Sequence, residues 1–319
     1  GLATGLADSG GLWGKTGVLH LARDAVHEAT QRSVVADQRP PADYLRFVER
    51  DEAAALAGWP VDIGGWWFPG GAWVSPTNYC RANLRQYAAG IATHFDCRVE
   101  RIAHADGLWR AFAADGACLA EAPQLVVANA ADARRLLGDW LPIFPARGQV
   151  THLPADAGTP PHCVVCRLGY ATPAIAGQRY AGATFLMQDA DPAVRAADHA
   201  ENLAKLNFIL PGFTDGIDPA TIATLPGRTG FRPASPDRLP IVGAVPKLGD
   251  APAPPGLWLA NGFGARGIVW SALAGELIAD AIEGSPGILD RSLAAALAPQ
   301  RFIDRPRRRA RPGKDTSPC

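Results

Sequence analysis

Methionine is almost missing from this chain: Met187 is the only one in 319 residues, and position 1 is Gly. With no initiator, the sequence reads as a fragment or a processed product. Cysteine is scarce too, six residues in all, which is too few for a disulfide scaffold and makes a reducing cytoplasm the expected setting. No apolar run reaches the ~18 residues a membrane span needs. The opening GLATGLADSGG has neither the basic nor the apolar part of a secretory signal. No G-x-S-x-G and no H-E-x-x-H occurs, which removes the simplest hydrolase readings. The seven His are scattered and suggest no metal cluster.

What is present points to folded protein. Gly and Pro are abundant at 34 and 28 residues, yet nine Trp and eleven Phe argue against disorder. The length suffices for one large or two ordinary domains. Net charge is zero, with 31 Lys+Arg against 31 Asp+Glu, but the basic residues crowd the end. Arg301, Arg305, Arg307, Arg308, Arg309, Arg311 and Lys314 face one acid there, Asp304. Residues 298–319 are therefore expected to form a disordered basic tail. It is either a solvated terminus or a segment drawn to phosphates.

Strands are expected at 17–21, 149–153, 163–167 and 178–185, all short and bounded by Gly or Pro. A helix with an acidic first turn is expected at 51–57. Another starts at Ser75-Pro76, with Ser as N-cap and Pro at the first helical position. Residues 98–103 and 108–113 read as a strand pair joined through Asp106-Gly107. QLVVAN (124–129) reads as a buried parallel strand feeding the helix AADARRLL. A helix is expected at 192–208. Last come the strand GLWLAN (256–261), a glycine turn and a helix over 268–283. Parallel β–α units alternating with antiparallel strands predict an α/β domain interleaved with an α+β domain.

Four local patterns bear on chemistry. Gly262-Phe-Gly264-Ala-Arg-Gly267 is a G-x-G-x-x-G between an apolar strand and an amphipathic helix. It fits either a ligand meeting a helix N-terminus or a close-packed turn. A dinucleotide fingerprint would need a second strand ending in an acid, and the sequence does not supply one. The run from Ser9 to Gly14-Lys15-Thr16 nearly matches a P-loop but is followed by a strand, so it is rejected. Cys163-x-x-Cys166 lies in an apolar strand pattern, which places the two thiols on opposite faces and reads as ordinary buried cysteine. His152 reads as a strand residue. Arg232, flanked by Phe231 and Pro233, needs an anionic partner if buried: a substrate carboxylate, or an internal acid such as Asp237.

Several strings taken together resemble one family. They are GGWWFPGGAWVSPTNYCRANL, LVVANAADARRL, LPIFPARGQVTHLP, GYATPAIAGQRYAGATF, DHAENLAKL, GFRPASPDRLPIVGAVP and GLWLANGFGARGIVWSALAGELIADAI. The family is the FAD-dependent oxidoreductase half of the bifunctional proteins that make 5-methylaminomethyl-2-thiouridine in tRNA, a branch of the D-amino-acid/glycine oxidase superfamily. The resemblance runs from about Gly14 to Arg305.

It implies a D-amino-acid-oxidase-like FAD-binding domain at 69–142 and 231–297. An antiparallel-sheet substrate domain would occupy 14–68 and 143–230. The implied reaction oxidises the carboxymethylamino group of a tRNA wobble uridine, leaving the aminomethyl form and releasing glyoxylate. Arg232 would grip the glycyl carboxylate, and Tyr170 would wall the substrate pocket. Gly262, Gly264, Arg266 and Gly267 would line the flavin ring edge, with Gly148 approaching it. Asn129 and Ala130 would end a strand near the pyrophosphate, and Val99 would contact the adenine side. Two parts of the family pattern are not in the sequence: the first βαβ unit with its own G-x-G-x-x-G, and the methyltransferase half. The alternatives are an oxidase of free glycine, sarcosine or D-amino acids, and an inactive fragment that at most binds RNA.

Overall fold

The computed structural model describes residues 13–154 and 159–304. The chain forms two compact units, each made of two segments: 1–93 with 147–230, and 94–146 with 231–319. Residues 69–93, expected in the FAD-binding part, fall in the first unit. β1 (Trp13–Gly14) explains this, because it pairs with the strand at Trp73–Val74 and ties that segment down.

Next come β2 (Val18–Leu21), α1 (Ala25–Gln38), β3 (Arg46–Val48), α2 (Arg50–Ala57), β4 (Gly65–Phe68), β5 (Trp73–Val74) and α3 (Pro76–Gln86). The Asp24 carboxylate accepts from the His27 N–H at 2.8 Å and starts α1, a helix the hydrophobic spacing did not predict. Ser75 precedes α3 in extended backbone as expected, but its hydroxyl makes no capping bond.

The second segment holds β6 (Arg101–Ala105), β7 (Leu108–Phe112), β8 (Cys118–Ala122), β9 (Leu125–Val127) and α4 (Ala133–Leu137). The β6–β7 turn has φ of 54° at Asp106 and 74° at Gly107. Two left-handed central residues match the twist of a tight hairpin.

β10 (Phe144–Pro154) then carries the chain back, followed by β11 (Val164–Cys166), β12 (Tyr170–Ala171), β13 (Gln178–Gly182), β14 (Leu186–Met187) and α5 (Ala196–Ile209). α5 begins later than the expected 192. Asp189 and Asp191 accept from the backbone N–H groups of Asp191 and Ala193, holding that stretch in turns. The last segment contains β15 (Gly227–Ala234), β16 (Ile241–Ala244), β17 (Leu257–Asn261), α6 (Gly267–Glu283), α7 (Arg291–Leu297) and α8 (Arg301–Asp304).

In the first unit the large sheet runs β14-β10-β13-β12-β11-β2-β4-β3, with β15 also on β10. One face is closed. Leu19, Val165, Ala171 and Ala181 pack there with Ala53 and Ala57 of α2 and Leu203, Leu206 and Ile209 of α5. Each such large side chain contributes roughly 1.5–3 kcal/mol by leaving water.

The second unit has a three-stranded β6-β7-β8 sheet and a second sheet ordered β16-β17-β9. β9 runs parallel to β17, as expected. It is not buried on both sides, however: among the described residues it is an edge, and Val126 is 41% exposed. α6 is apolar nearly all round, yet only Ala274 and Ile278 are buried and Val269 is 79% exposed.

The basic tail also needs correction. Arg301 is buried and its guanidinium bonds Asp237 at 2.9 Å, so ordered structure reaches at least Asp304. Residues 305–319, which carry the other basic residues of that run, lie outside the described residues.

Candidate cofactor and substrate site

β9 and β17 lie side by side in parallel, with Val127 opposite Leu259. β9 ends at Val127, two residues before Asn129, and β17 ends at Asn261. The carboxyl ends of neighbouring parallel strands form the crevice where α/β sheets take ligands. After β9, Ala130 adopts φ 55°, uncommon for a residue with a side chain. After β17, Gly262 and Gly264 have φ of 70° and 56°, the left-handed backbone that glycine alone adopts freely.

The glycine turn is open where a ligand would need it. A Cβ on Gly264 would meet nothing within 4 Å, whereas one on Gly262 would strike Ile241 at 2.8 Å. Gly262 therefore serves packing and Gly264 leaves space. Gly267 begins the 17-residue α6, whose N-terminus has no side-chain cap. Its first N–H groups carry the positive end of the helix dipole. Arg266 is exposed and donates to the Arg238 carbonyl.

Val99, expected on the adenine side, and Asn129, expected near the pyrophosphate, lie in one cleft of about 310 Å³ with Val126, Asp132 and Arg135. The Arg135 guanidinium closes one wall, donating to the Val99 carbonyl at 2.5 Å and to the Glu100 carboxylate at 2.6 Å.

Arg232 is half-buried on β15. Two residues on, Ala234 forms a β-bridge with Phe263, inside the glycine turn. At ~3.3 Å of rise per residue, the Arg232 backbone lies about 7 Å from that bridge. Asp237, the internal acid named for it, bonds Arg301 through two contacts of 2.9 and 3.2 Å, and Arg232 and Asp237 each make further interactions.

The first unit holds Gly148 and Tyr170. Sheet register puts Val150 opposite Gly182, Gly182 opposite Tyr170, and Tyr170 opposite Cys166. Gly148 is two residues from Val150, so it shares this face with Tyr170. The opposite face takes Arg147, Gln149 and Thr151. Arg147 bonds Asp198 at 2.5 Å, Gln149 brackets Arg195, and Thr151 meets His199 at 2.9 Å. Gly182 escaped the sequence reading: a Cβ there would lie 3.2 Å from the Tyr170 hydroxyl and 3.3 Å from Val150.

The shifted cysteines and histidines of this unit favour their neutral forms. Burial pushes the Cys163 thiol up to about 12, helped by Cys166, and Cys166 up to about 11. Both thiols stay protonated at neutral pH, as expected of ordinary buried cysteine. Burial lowers His20, His152 and His199 below the usual imidazole range; neighbouring charges add to this at His20 and His152, while the Asp198 carboxylate opposes it at His199. No group of three or more His, Cys, Asp or Glu able to hold a metal occurs among the described residues. No helix there is long and apolar enough to cross a membrane.

Against known proteins, the model of the DAO family, described as FAD dependent oxidoreductase, matches residues 4–281. The chain belongs to this family. Among curated DAO-type relatives, it is 56% identical over 307 residues to the tRNA 5-methylaminomethyl-2-thiouridine biosynthesis bifunctional protein MnmC of Aromatoleum aromaticum. That match covers 93% of this chain and 48% of the relative. The MnmC of an Azoarcus species is 50% identical over 311 residues, covering 94% and 48%. The chain thus spans about half the length of the curated relatives it matches. Iminodiacetate oxidase from Chelativorans superposes with TM-score 0.71 at 28% identity, over 87% of this chain and 74% of that one. Glycine oxidase from Geobacillus kaustophilus gives 0.77 at 22%, over 94% and 79%. The α/β fold expected from the strings is the DAO fold.

FAD is the cofactor of this family, and the residues present suit it. Gly264 leaves open space beside the backbone, an uncapped helix end adjoins it, and a separate cleft runs along β9 to Asn129. Such a set offers backbone donors to the polar edge and phosphates of a dinucleotide.

Proposed function

We propose that this chain is the oxidoreductase half of a bifunctional tRNA-modifying enzyme. In this reading it oxidises the carboxymethylamino group of 5-carboxymethylaminomethyl-uridine at the wobble position, giving the aminomethyl base and glyoxylate. The single observation that carries the reading is the bridge from Ala234 to Phe263, which ties the strand of Arg232 to the glycine turn. The MnmC relatives support the tRNA substrate, and their being named bifunctional supports a methyltransferase half as partner. The setting we propose is cytoplasmic.

The substrate presents an N-substituted glycine, a group shared by the glycine and iminodiacetate after which two structural neighbours are named. FAD, when bound, supplies acceptance of the two electrons lost as the CH–NH bond becomes C=N. Arg232 offers a planar fork that holds the glycyl carboxylate at two points, fixing the neighbouring CH₂ for that loss. Gly262, Gly264, Arg266 and Gly267 would border the ring, Asn129 and Ala130 the pyrophosphate, and Val99 the adenine side. Gly148 and Tyr170 keep the roles the resemblance implies for them, approach to the flavin and a wall of the substrate pocket. Water then adds to the C=N carbon and the C–N bond breaks, releasing glyoxylate. Positioning is the main demand on the protein.

The test uses this chain with FAD and tRNA bearing the modified base, followed by nucleoside mass analysis. Conversion to the aminomethyl base, lost by 100-fold or more in Arg232→Ala, is expected. Peroxide from glycine or sarcosine, with no change in the tRNA, would replace this reading with a small-molecule oxidase.

A further inference from the structure

Asn261 is fully buried and uses both ends of its side-chain amide. Its Nδ2 donates to the Ala130 carbonyl at 2.9 Å, and its Oδ1 accepts from the Gly262 N–H at 2.8 Å. One end therefore grips the turn after β9 and the other the turn after β17. Both gripped residues have left-handed backbone, φ 55° at Ala130 and 70° at Gly262. A non-glycine residue holds that conformation only when its surroundings enforce it, and the bond on its carbonyl is one such restraint. The Asn261 backbone is itself fixed, paired with Ile241 of β16.

We propose that Asn261 is a positioning residue that couples the two cofactor turns, so that the turn at 129–132 and the turn at 262–267 hold one fixed spacing. The proposal rests on the flavin reading above, since it assigns one turn to the pyrophosphate and the other to the ring edge of one ligand. The chemistry requires an amide. Aspartate would keep the acceptor for Gly262 but present a carboxylate oxygen to the Ala130 oxygen, removing the donor without changing the shape. Alanine would remove both bonds.

The consequence concerns ligands that span both turns. FAD needs their spacing, whereas ADP, placed by this reading at the adenine and pyrophosphate side, needs only one turn. In the full chain, Asn261→Asp and Asn261→Ala are expected to weaken FAD binding 10-fold or more while changing ADP binding less than 2-fold. Flavin fluorescence quenching measures the first and calorimetry the second. A substitution that merely loosens the fold would weaken both ligands alike, and that result overturns the proposal. So does FAD affinity within 2-fold of the original chain.

Amide hydrogen exchange without ligand supplies the independent arm. Exchange should rise at both 129–132 and 262–267 in each variant, with β6 to β8 unchanged. A rise confined to one turn removes the coupling. Should the alanine variant fail to fold, the isosteric aspartate variant decides the matter. If the original chain binds ADP but no FAD, the flavin reading falls, while the exchange pattern still decides whether the turns are coupled.

Discussion

In the unit built from 1–93 and 147–230, the sheet's closed face is sealed by two helices, with Leu19, Val165 and Leu206 each no more than 2% exposed. Its polar positions are sealed as well: Arg147 is fully buried against Asp198. In the unit built from 94–146 and 231–319, an apolar strand edge and most of an apolar helix stand open, with Val126 and Val269 at 41% and 79% exposure. A helix hydrophobic all round is normally covered, and a bare apolar edge invites another strand. The first unit behaves as a finished scaffold. In the second, among the described residues, apolar surface on β9 and α6 is left uncovered, and the turns after β9 and β17 belong to this unit. The contrast also assigns different costs to substitutions in the two units.

The largest effect expected falls on the sealed ion pair. Asp198→Ala leaves a buried guanidinium without its carboxylate, a loss of about 3–5 kcal/mol. It should appear as a large fall in the urea midpoint. A change below 1 kcal/mol, roughly the value of an exposed pair, would show that this interior is not sealed.

Core packing gives the direct contrast. Leu206→Ala should cost roughly 2–5 kcal/mol, and Val269→Ala less than about 0.5 kcal/mol. Equal costs would mean that α6 is covered in solution, and the comparison between units would fail. Gly182→Ala comes next, at about 1–3 kcal/mol for overpacking against Tyr170 and Val150. If Tyr170 walls the substrate pocket, KM should rise with this variant while FAD affinity stays constant. Steady-state kinetics with the modified tRNA checks it.

The legibility of the sequence follows the same division between repeating and solitary signals. The β17–α6 unit with its glycines was readable because an apolar strand, a turn and a helical period follow one another. Arg232 stood out as a candidate because a charge inside an apolar string needs a reason. α1 was missed because its start depends on a single capping carboxylate, Asp24, and the openness of β9 because an apolar run looks the same at an edge as in the middle of a sheet. Asn261 was missed for a different reason. Its amide acts on Ala130, 131 residues away in sequence, and no local pattern encodes such a partner. Arg301 read as part of a basic tail because its acid, Asp237, is equally remote.

The smallest effect expected is one of pH, and it belongs to the sealed unit. His152 and His199 are held below the usual imidazole range mainly by burial, and His20 shares that cause. The unfolded chain titrates these groups near ~6.5. Below that pH it binds protons that the folded chain refuses, so stability must fall as pH drops from about 6.5 toward the lowered folded values. Above about pH 7 both states are neutral at these sites and the contribution is flat. Urea midpoints between pH 8 and 5.5 should therefore bend downward only in the acid half. His199→Gln, which cannot charge, should reduce that bend even though it disturbs the bond to Thr151. A variant with the same acid slope as the parent would remove His199 from this account and leave the burden on His20 and His152.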